Sequence, residues 1–161
     1  MHGLVIRHPE IDDARPIHSL IEETNGLDDN SCYMYALWCR DFASTSAVAI
    51  EEGELVGVLT GYMRPDAPNT FFAWQTAVSP ASKNRSVALA MYEFVLSQAI
   101  GSRALFVEMS IDNANRGIRL LLSQLARRYN ATHSTKPLFS MADLGNDHYP
   151  ETLHILTLYN A

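Results

Sequence analysis

One run, Phe71-Phe72-Ala73-Trp74-Gln75-Thr76-Ala77-Val78-Ser79-Pro80, constrains the fold more than any other part of the chain. Its aromatic and β-branched residues predict a buried strand, and Ser-Pro ends it. Directly after it, Val87, Leu89, Ala90, Met91, Phe94 and Val95 recur with helical spacing, so the strand turns straight into a helix. A helix start presents unpaired backbone N–H groups and the positive end of the peptide dipoles, and here Lys83 and Arg85 add cations beside it. Such a corner suits a phosphate, and it also suits an ordinary strand-turn-helix with a solvated basic turn.

The rest of the chain supports one domain spanning residues 1–161, since 161 residues with 47% apolar content are enough for a sizeable core. A net charge of −6 argues against nucleic acid or an anionic membrane as a partner. Cys32 and Cys39 fall in one predicted helix, about 10 Å apart along its axis at about 1.5 Å per residue, too far for an undistorted disulfide. The start, Met1-His2-Gly3-Leu4, lacks the basic end and apolar stretch of a secretory signal, and no apolar run is long enough to span a bilayer. A cytoplasmic location is expected.

In chain order, Leu4 and Ile6 predict a first strand ended by Pro9. A helix with acidic Asp12 and Asp13 at its start and an Ile17, Leu20, Ile21 stripe then runs to Asn25-Gly26. Leu27 to Ser31 is a turn before a second helix marked by Tyr33, Leu37, Trp38 and Phe42. Ser46–Glu51 and Leu55–Met63 read as a hairpin around an acidic, Gly-containing turn, and Pro65 to Asn69 as a loop. After the central strand and helix come a strand over Ala104–Ile111, a helix over Arg116–Arg128, and strands over Lys136–Met141 and Leu153–Tyr159. This order predicts an α/β (α+β) three-layer domain with a mixed central sheet.

The same order resembles the acetyl-CoA-dependent N-acetyltransferase (GNAT) superfamily, in which a pyrophosphate rests on the turn after the fourth strand. Leu27-Asp28-Asp29-Asn30-Ser31-Cys32-Tyr33, Gly57 to Tyr62 with Pro65 and Pro68, Trp74-Gln75-Thr76-Ala77-Val78, and Glu108 with Asn115 resemble the successive signatures of the L-2,4-diaminobutyrate acetyltransferases of ectoine biosynthesis. The similarity runs from about Ile6 to Leu158. It implies acetyl-CoA as co-substrate, a diamino acid as acceptor and a homodimer. By motif position it assigns substrate contact to Asp28, Tyr33, Trp74, Glu108 and His148, and places Asn115 toward the cofactor's pantetheine arm.

The match has departures. The superfamily's phosphate turn carries Gln or Arg and two small residues, where this chain has Ala81, Asn84 and Ser86. Glycine there lets backbone approach the pyrophosphate and accepts unusual dihedrals, so weaker cofactor binding is expected. Asp41 replaces a usual His, and Met109-Ser110 replaces a usual pair of threonines.

The chemistry can also be reasoned from the residues. Attack of an amine on a thioester needs the unprotonated lone pair, whereas an alkyl amine is mostly protonated at neutral pH. A site must therefore grip the ammonium form and remove a proton. Asp28 and Glu108 suit the grip, and Glu108 or His148 suits the proton transfer. Trp74 and Tyr33 can wall the pocket through cation–π attraction. A backbone N–H near Ala77 and Val78 can polarise the thioester carbonyl, and the turn of Lys83, Asn84, Arg85, Ser86 and Val87 takes the diphosphate. Plainer roles stand beside these: Asp28 and Asn115 as helix caps, Trp74 as core, His148 as a solvated loop residue, and His133 and His154 as surface or packing residues. Unpartnered burial of Glu108, which ends the apolar run Ala104 to Val107, would be costly. The His and Cys residues show no paired ligand spacing, so no metal site is expected. Two alternatives remain: an acetyltransferase for another diamino acid such as ornithine, and a non-catalytic amino-acid-binding module with a degenerate phosphate turn.

Overall fold

The computed structural model describes residues 3–24, 26–101, 104–112 and 115–158. Asn25, read above as part of the first helix stop, the Met1-His2 start, and Tyr159, read as the end of the last strand, lie outside them. The elements in order are β1 (Val5–Arg7), α1 (Ala14–Glu23), α2 (Cys32–Asp41), β2 (Ala47–Glu51), β3 (Glu54–Arg64), β4 (Ala67–Val78), α3 (Val87–Gly101), β5 (Phe106–Asp112), α4 (Gly117–Arg128), β6 (Thr132–Phe139), α5 (Met141–Leu144) and β7 (Glu151–Thr157). Hydrogen-bonded neighbours make a 7-stranded sheet in the order β1-β2-β3-β4-β5-β7-β6. It is mixed, as expected: β4 and β5 are parallel while β5 and β7 are antiparallel. The chain divides into two compact units, Met1–Tyr62 with Trp74–Gly101, and Met63–Ala73 with Ser102–Ala161. Strands β3 and β4 run through both.

In the first unit, Asp13 organises the start of α1. It takes the Glu10 backbone N–H at 2.7 Å and a two-pronged bond from Arg7 at 2.7 and 2.9 Å, so the acidic residue expected at a helix start also ties that start to β1. Ala14, Ile17, Leu20 and Ile21 of α1 meet Tyr35 and Cys39 of α2 over Val48, Val58 and Ala77 of the sheet. This i, i+3, i+7 stripe is what the periodicity predicts. Burial pushes the Cys39 thiol up to about 11, which leaves it an unreactive core residue.

The β2–β3 hairpin closes through Glu52 and Gly53, with φ of 53° and 86°, the left-handed pair that a two-residue hairpin turn requires. Gly57 on β3 lies under α3. A Cβ built there would meet Val87 Cγ1 at 2.8 Å and Met91 Cε at 3.1 Å. Gly57→Ala is therefore expected to push α3 outward and destabilise the protein by about 1 to 2 kcal/mol, read as a lower chemical-denaturation midpoint.

In the second unit, the start of β4 pairs with β5, placing Phe72 opposite Glu108 and Ala73 opposite Met109. Two elements differ from expectation here. Residues Ala67 to Asn69 belong to β4 and not to a loop, because Pro65-Asp66 alone makes the turn and Pro68 stands near the strand's start, where a missing N–H is tolerated. The penultimate strand is Thr132–Phe139, and Met141–Leu144, partly read as strand, is a helical turn capped by Ser140, which accepts the Asp143 N–H.

His133 Nε2 and His154 Nδ1 stand 3.0 Å apart with stacked rings. Burial, then His133 and Arg119, hold His154 below the ordinary imidazole value. The unfolded chain takes up this proton near pH ~6.5, and the folded chain only at lower pH. In that interval the unfolded state binds more protons, so this contribution is full above the unfolded value and is lost as pH falls through the folded one. Denaturation midpoints are expected to drop below about pH 6.5, and His154→Gln is expected to flatten that drop. An equal slope in the variant would assign the acid sensitivity to other groups.

Candidate active site

The strand-to-helix corner begins where β4 leaves the sheet, with Ser79 N–H still bonded to Val56 O at 2.8 Å. The turn Pro80 to Ser86 then leads into α3. Several of its donors are already engaged. Glu51 Oε2 accepts the Lys83 N–H and the Ser82 hydroxyl, both at 3.2 Å. Ser82 Oγ accepts the Asn84 N–H at 3.3 Å, and Asn84 Oδ1 accepts the Ser86 N–H at 2.8 Å. Lys83 Nζ reaches Glu52 Oε1 at 3.4 Å. The anion these donors meet is the Glu51 carboxylate, supplied from the neighbouring hairpin. Asn84 and Ser86 are not among the described non-glycine residues with positive φ, which are Glu52 and Asn130. The turn therefore needs no left-handed backbone at Asn84, whose side chain caps it instead. Ala77 and Val87 are 2% and 0% exposed, so only their backbone can meet a cofactor. Arg85 is exposed.

Asp28, Tyr33 and Trp74 belong to the first unit. Ser31, not Asp28, caps α2 by accepting the Met34 N–H at 3.2 Å, which removes the cap explanation for Asp28. The loop carrying Asp28 is held at its backbone: Gln75 Nε2 donates to Asp28 O at 2.9 Å, while Gln75 Oε1 accepts the Tyr35 hydroxyl at 3.0 Å. Tyr33 is 73% exposed on the first turn of α2. Trp74 is half-buried, and its ring packs on Trp38 at 4.7 Å, which in turn packs on Phe42 at 4.6 Å and Tyr62 at 6.0 Å. This aromatic group includes Trp38 and Tyr62, which sequence reasoning left outside the site.

Glu108 and His148 belong to the second unit. Glu108 is 7% exposed, and its carboxylate takes Arg64 Nη1 at 3.2 and 3.5 Å. Arg64 Nη2 also bonds Asp66 at 3.3 Å. The partner that the buried carboxylate needs is therefore Arg64, a residue the sequence reading passed over although it immediately precedes the Pro65 turn. His148 is half-buried, and its Nδ1 bonds Tyr149 O at 2.7 Å. A carbonyl only accepts, so Nδ1 carries a proton, and in the neutral ring Nε2 is the acceptor. Asn115 Oδ1 accepts the Ile118 N–H at 3.4 Å and its own N–H donates to Asp112 Oδ1 at 3.1 Å, which favours the helix-start role of this residue.

One cluster among the described residues has metal-ligand chemistry. His18, Glu22 and Asp29 bring ligand atoms within 4.8 Å of one another. His18 Nε2 meets Asp29 Oδ1 at 3.1 Å and Nδ1 meets Glu22 Oε2 at 3.6 Å, so contacts of the imidazole with the two carboxylates account for the arrangement. None of the candidate residues lines the hollow formed by Val5, Arg7, Asp13, Pro16, Ile50 and Leu55. Among the described residues no helix is long and apolar enough to cross a membrane.

Comparison with known proteins identifies the family. The profile of the Acetyltransferase (GNAT) family matches residues 13–122. The L-2,4-diaminobutyric acid acetyltransferase of Nocardia farcinica is 35% identical over 150 residues, 93% of this chain and 78% of the relative. That of Halomonas elongata is 36% identical over 151 residues, 93% of this chain and 79% of the relative. Among solved structures, diaminobutyrate acetyltransferase EctA from Paenibacillus lautus, in complex with its substrate L-2,4-diaminobutyric acid and coenzyme A, matches with a TM-score of 0.92 at 28% identity, covering 100% of this chain and 99% of that one. Ard1 from Thermoplasma volcanium, at 15% identity and a TM-score of 0.72, shares the fold alone. At this identity and coverage, this chain belongs to the L-2,4-diaminobutyric acid acetyltransferase family within the GNAT acetyltransferases.

Proposed function

We propose that this protein transfers the acetyl group of acetyl-CoA to the side-chain (N4) amine of L-2,4-diaminobutyrate, a step of ectoine biosynthesis. The observation that carries the reading is the match along the whole chain to a solved relative that holds that amino acid and coenzyme A. In this reading the uncharged amine attacks the thioester carbonyl, a C–N bond forms, the C–S bond breaks, and coenzyme A leaves as the thiol once the amine's proton is passed on. Asp28, Tyr33 and Trp74 contact the amino acid. Glu108 and His148 also contact it and lead the proton away, His148 through Nε2. Backbone N–H groups at Ala77 and Val78 serve the thioester oxygen, the turn from Lys83 to Val87 serves the diphosphate, and Asn115 the pantetheine arm.

The chain acts as one acetyltransferase domain over 1–161, in keeping with relatives that match 93% of it. A cytoplasmic location fits the free thiols of Cys32 and Cys39. A homodimer fits large apolar side chains left exposed, such as Leu120 and Tyr149 at 65% and 70%.

Melting the protein with acetyl-CoA and with diaminobutyrate separately tests the function. Stabilisation by each ligand is expected; stabilisation by the amino acid alone would overturn the enzyme in favour of a binding module. Assays against ornithine set the acceptor, because one methylene is worth about 1 to 3 kcal/mol of discrimination.

A further inference from the structure

We infer that Gln75 is a positioning residue for the acceptor amino acid, holding the Asp28 loop at the length and angle that select a diaminobutyrate side chain. The inference rests on the reading of Asp28 as a substrate contact.

Gln75 is 4% exposed in β4, next to Trp74. Its backbone is anchored to β3, with its N–H donating to Thr60 Oγ1 at 3.0 Å and its carbonyl accepting from the same hydroxyl at 3.4 Å. Its side chain meets two partners of opposite kind. The Asp28 carbonyl can only accept, and takes the amide NH2 at 2.9 Å; the Tyr35 hydroxyl donates to the amide oxygen at 3.0 Å. Turning the amide over would set oxygen against the Asp28 carbonyl, so only one orientation satisfies the pair. One buried side chain therefore joins the loop before α2 to α2 itself, where Ser31 caps the first turn that carries Tyr33.

The loop has a second tie, Asp29 Oδ1 to His18 Nε2 at 3.1 Å, and the His18 ring lies 6.0 Å from the Tyr35 ring. That contact is more exposed than the Gln75 bond, with the Asp29 side chain 54% accessible. Exposed ion pairs constrain geometry weakly. The Tyr35 hydroxyl also meets Asn30, and Leu27 packs on the core; the bond that reaches the Asp28 backbone from the sheet is that of Gln75. A loosened loop still binds an ammonium group but no longer measures the chain that carries it.

Gln75→Met keeps the size and removes both bonds. It is expected to raise KM for diaminobutyrate about tenfold and to narrow the preference for diaminobutyrate over ornithine. KM for acetyl-CoA and kcat should change by less than about threefold, because neither ligand end nor proton acceptor is touched. Gln75→Glu supplies a diagnostic signature. Its ionised carboxylate sets an oxygen against the Asp28 carbonyl, whereas the protonated acid can donate to it, so diaminobutyrate affinity relative to the native protein should recover as pH is lowered.

Native protein that binds no diaminobutyrate in calorimetry would sink both the functional reading and this inference. Native binding with an unchanged acceptor KM and unchanged ornithine discrimination in Gln75→Met would sink the inference alone. Parallel losses for both substrates with a lowered melting temperature would also overturn it, by reducing Gln75 to a core residue. Should Gln75→Met not fold, the pH recovery of Gln75→Glu decides: a loss confined to the acceptor side that recovers as pH is lowered supports positioning, and no change in acceptor affinity overturns it.

Discussion

Glu108→Gln is expected to lower kcat by about 100-fold or more while the protein remains folded, as the loss of a group that takes a proton in the transition state does. Glutamine keeps the volume and can still accept from Arg64, which sits 3.2 Å from the native carboxylate, so the variant tests basicity separately from packing. Steady-state kinetics with saturating acetyl-CoA decide it. A drop in kcat with KM for acetyl-CoA unchanged supports proton transfer through Glu108. A rise in KM for diaminobutyrate with kcat intact would make Glu108 an anchor for the ammonium group and move the proton to His148. Arg64→Met is a different perturbation, because it strands a carboxylate that is only 7% exposed. Leaving a buried charge without its partner is costly, so this variant is expected to lose stability before activity is considered.

Removing the Glu51 carboxylate is expected to tighten coenzyme A binding by about 10- to 150-fold, from the range of hydrogen bonds to charged groups. A diphosphate placed on the turn competes with Glu51 for the Lys83 N–H and the Ser82 hydroxyl, each 3.2 Å from Glu51 Oε2, and it is repelled by the same charge. Glu51→Ala removes both obstacles. Glu54→Ala, on the same hairpin but exposed, is the control and should leave affinity near the native value. Titration calorimetry at fixed, moderate ionic strength is the measurement, since salt weakens the repulsion. Weaker binding in Glu51→Ala would show that the carboxylate shapes the turn for the cofactor and does not stand in its way.

Glu51 also changes the meaning of the altered phosphate turn. From the sequence, the replacement of small residues by Asn84 and Ser86 reads as a loss. In the structure Asn84 caps the turn by accepting the Ser86 N–H, neither residue has positive φ, and the turn also meets a carboxylate from a hairpin 31 residues earlier in the chain.

Much of the fold was legible in the sequence because it depends on periodicities that local residues carry. The Ala14 to Ile21 stripe, the Glu52-Gly53 hairpin turn and the passage from Val78 to Val87 each appear where pattern and turn chemistry place them. Pro68 misled the reading because a proline marks a loop unless the strand beside it leaves its missing N–H unneeded. The sequence by itself also determined where the candidate groups lie along the chain: Glu108 after the apolar run Ala104 to Val107, a loop rich in Asp and Asn, and a basic helix start. Only the tertiary structure decided what those residues touch. Arg64 reaches Glu108 across 44 positions, Gln75 reaches Asp28 across 47, and Ser31 displaces Asp28 as the cap of α2. The physical reason is that strand and helix patterns repeat over a few residues, whereas the partner of a buried polar group is set by strand register and hairpin placement that no local pattern encodes.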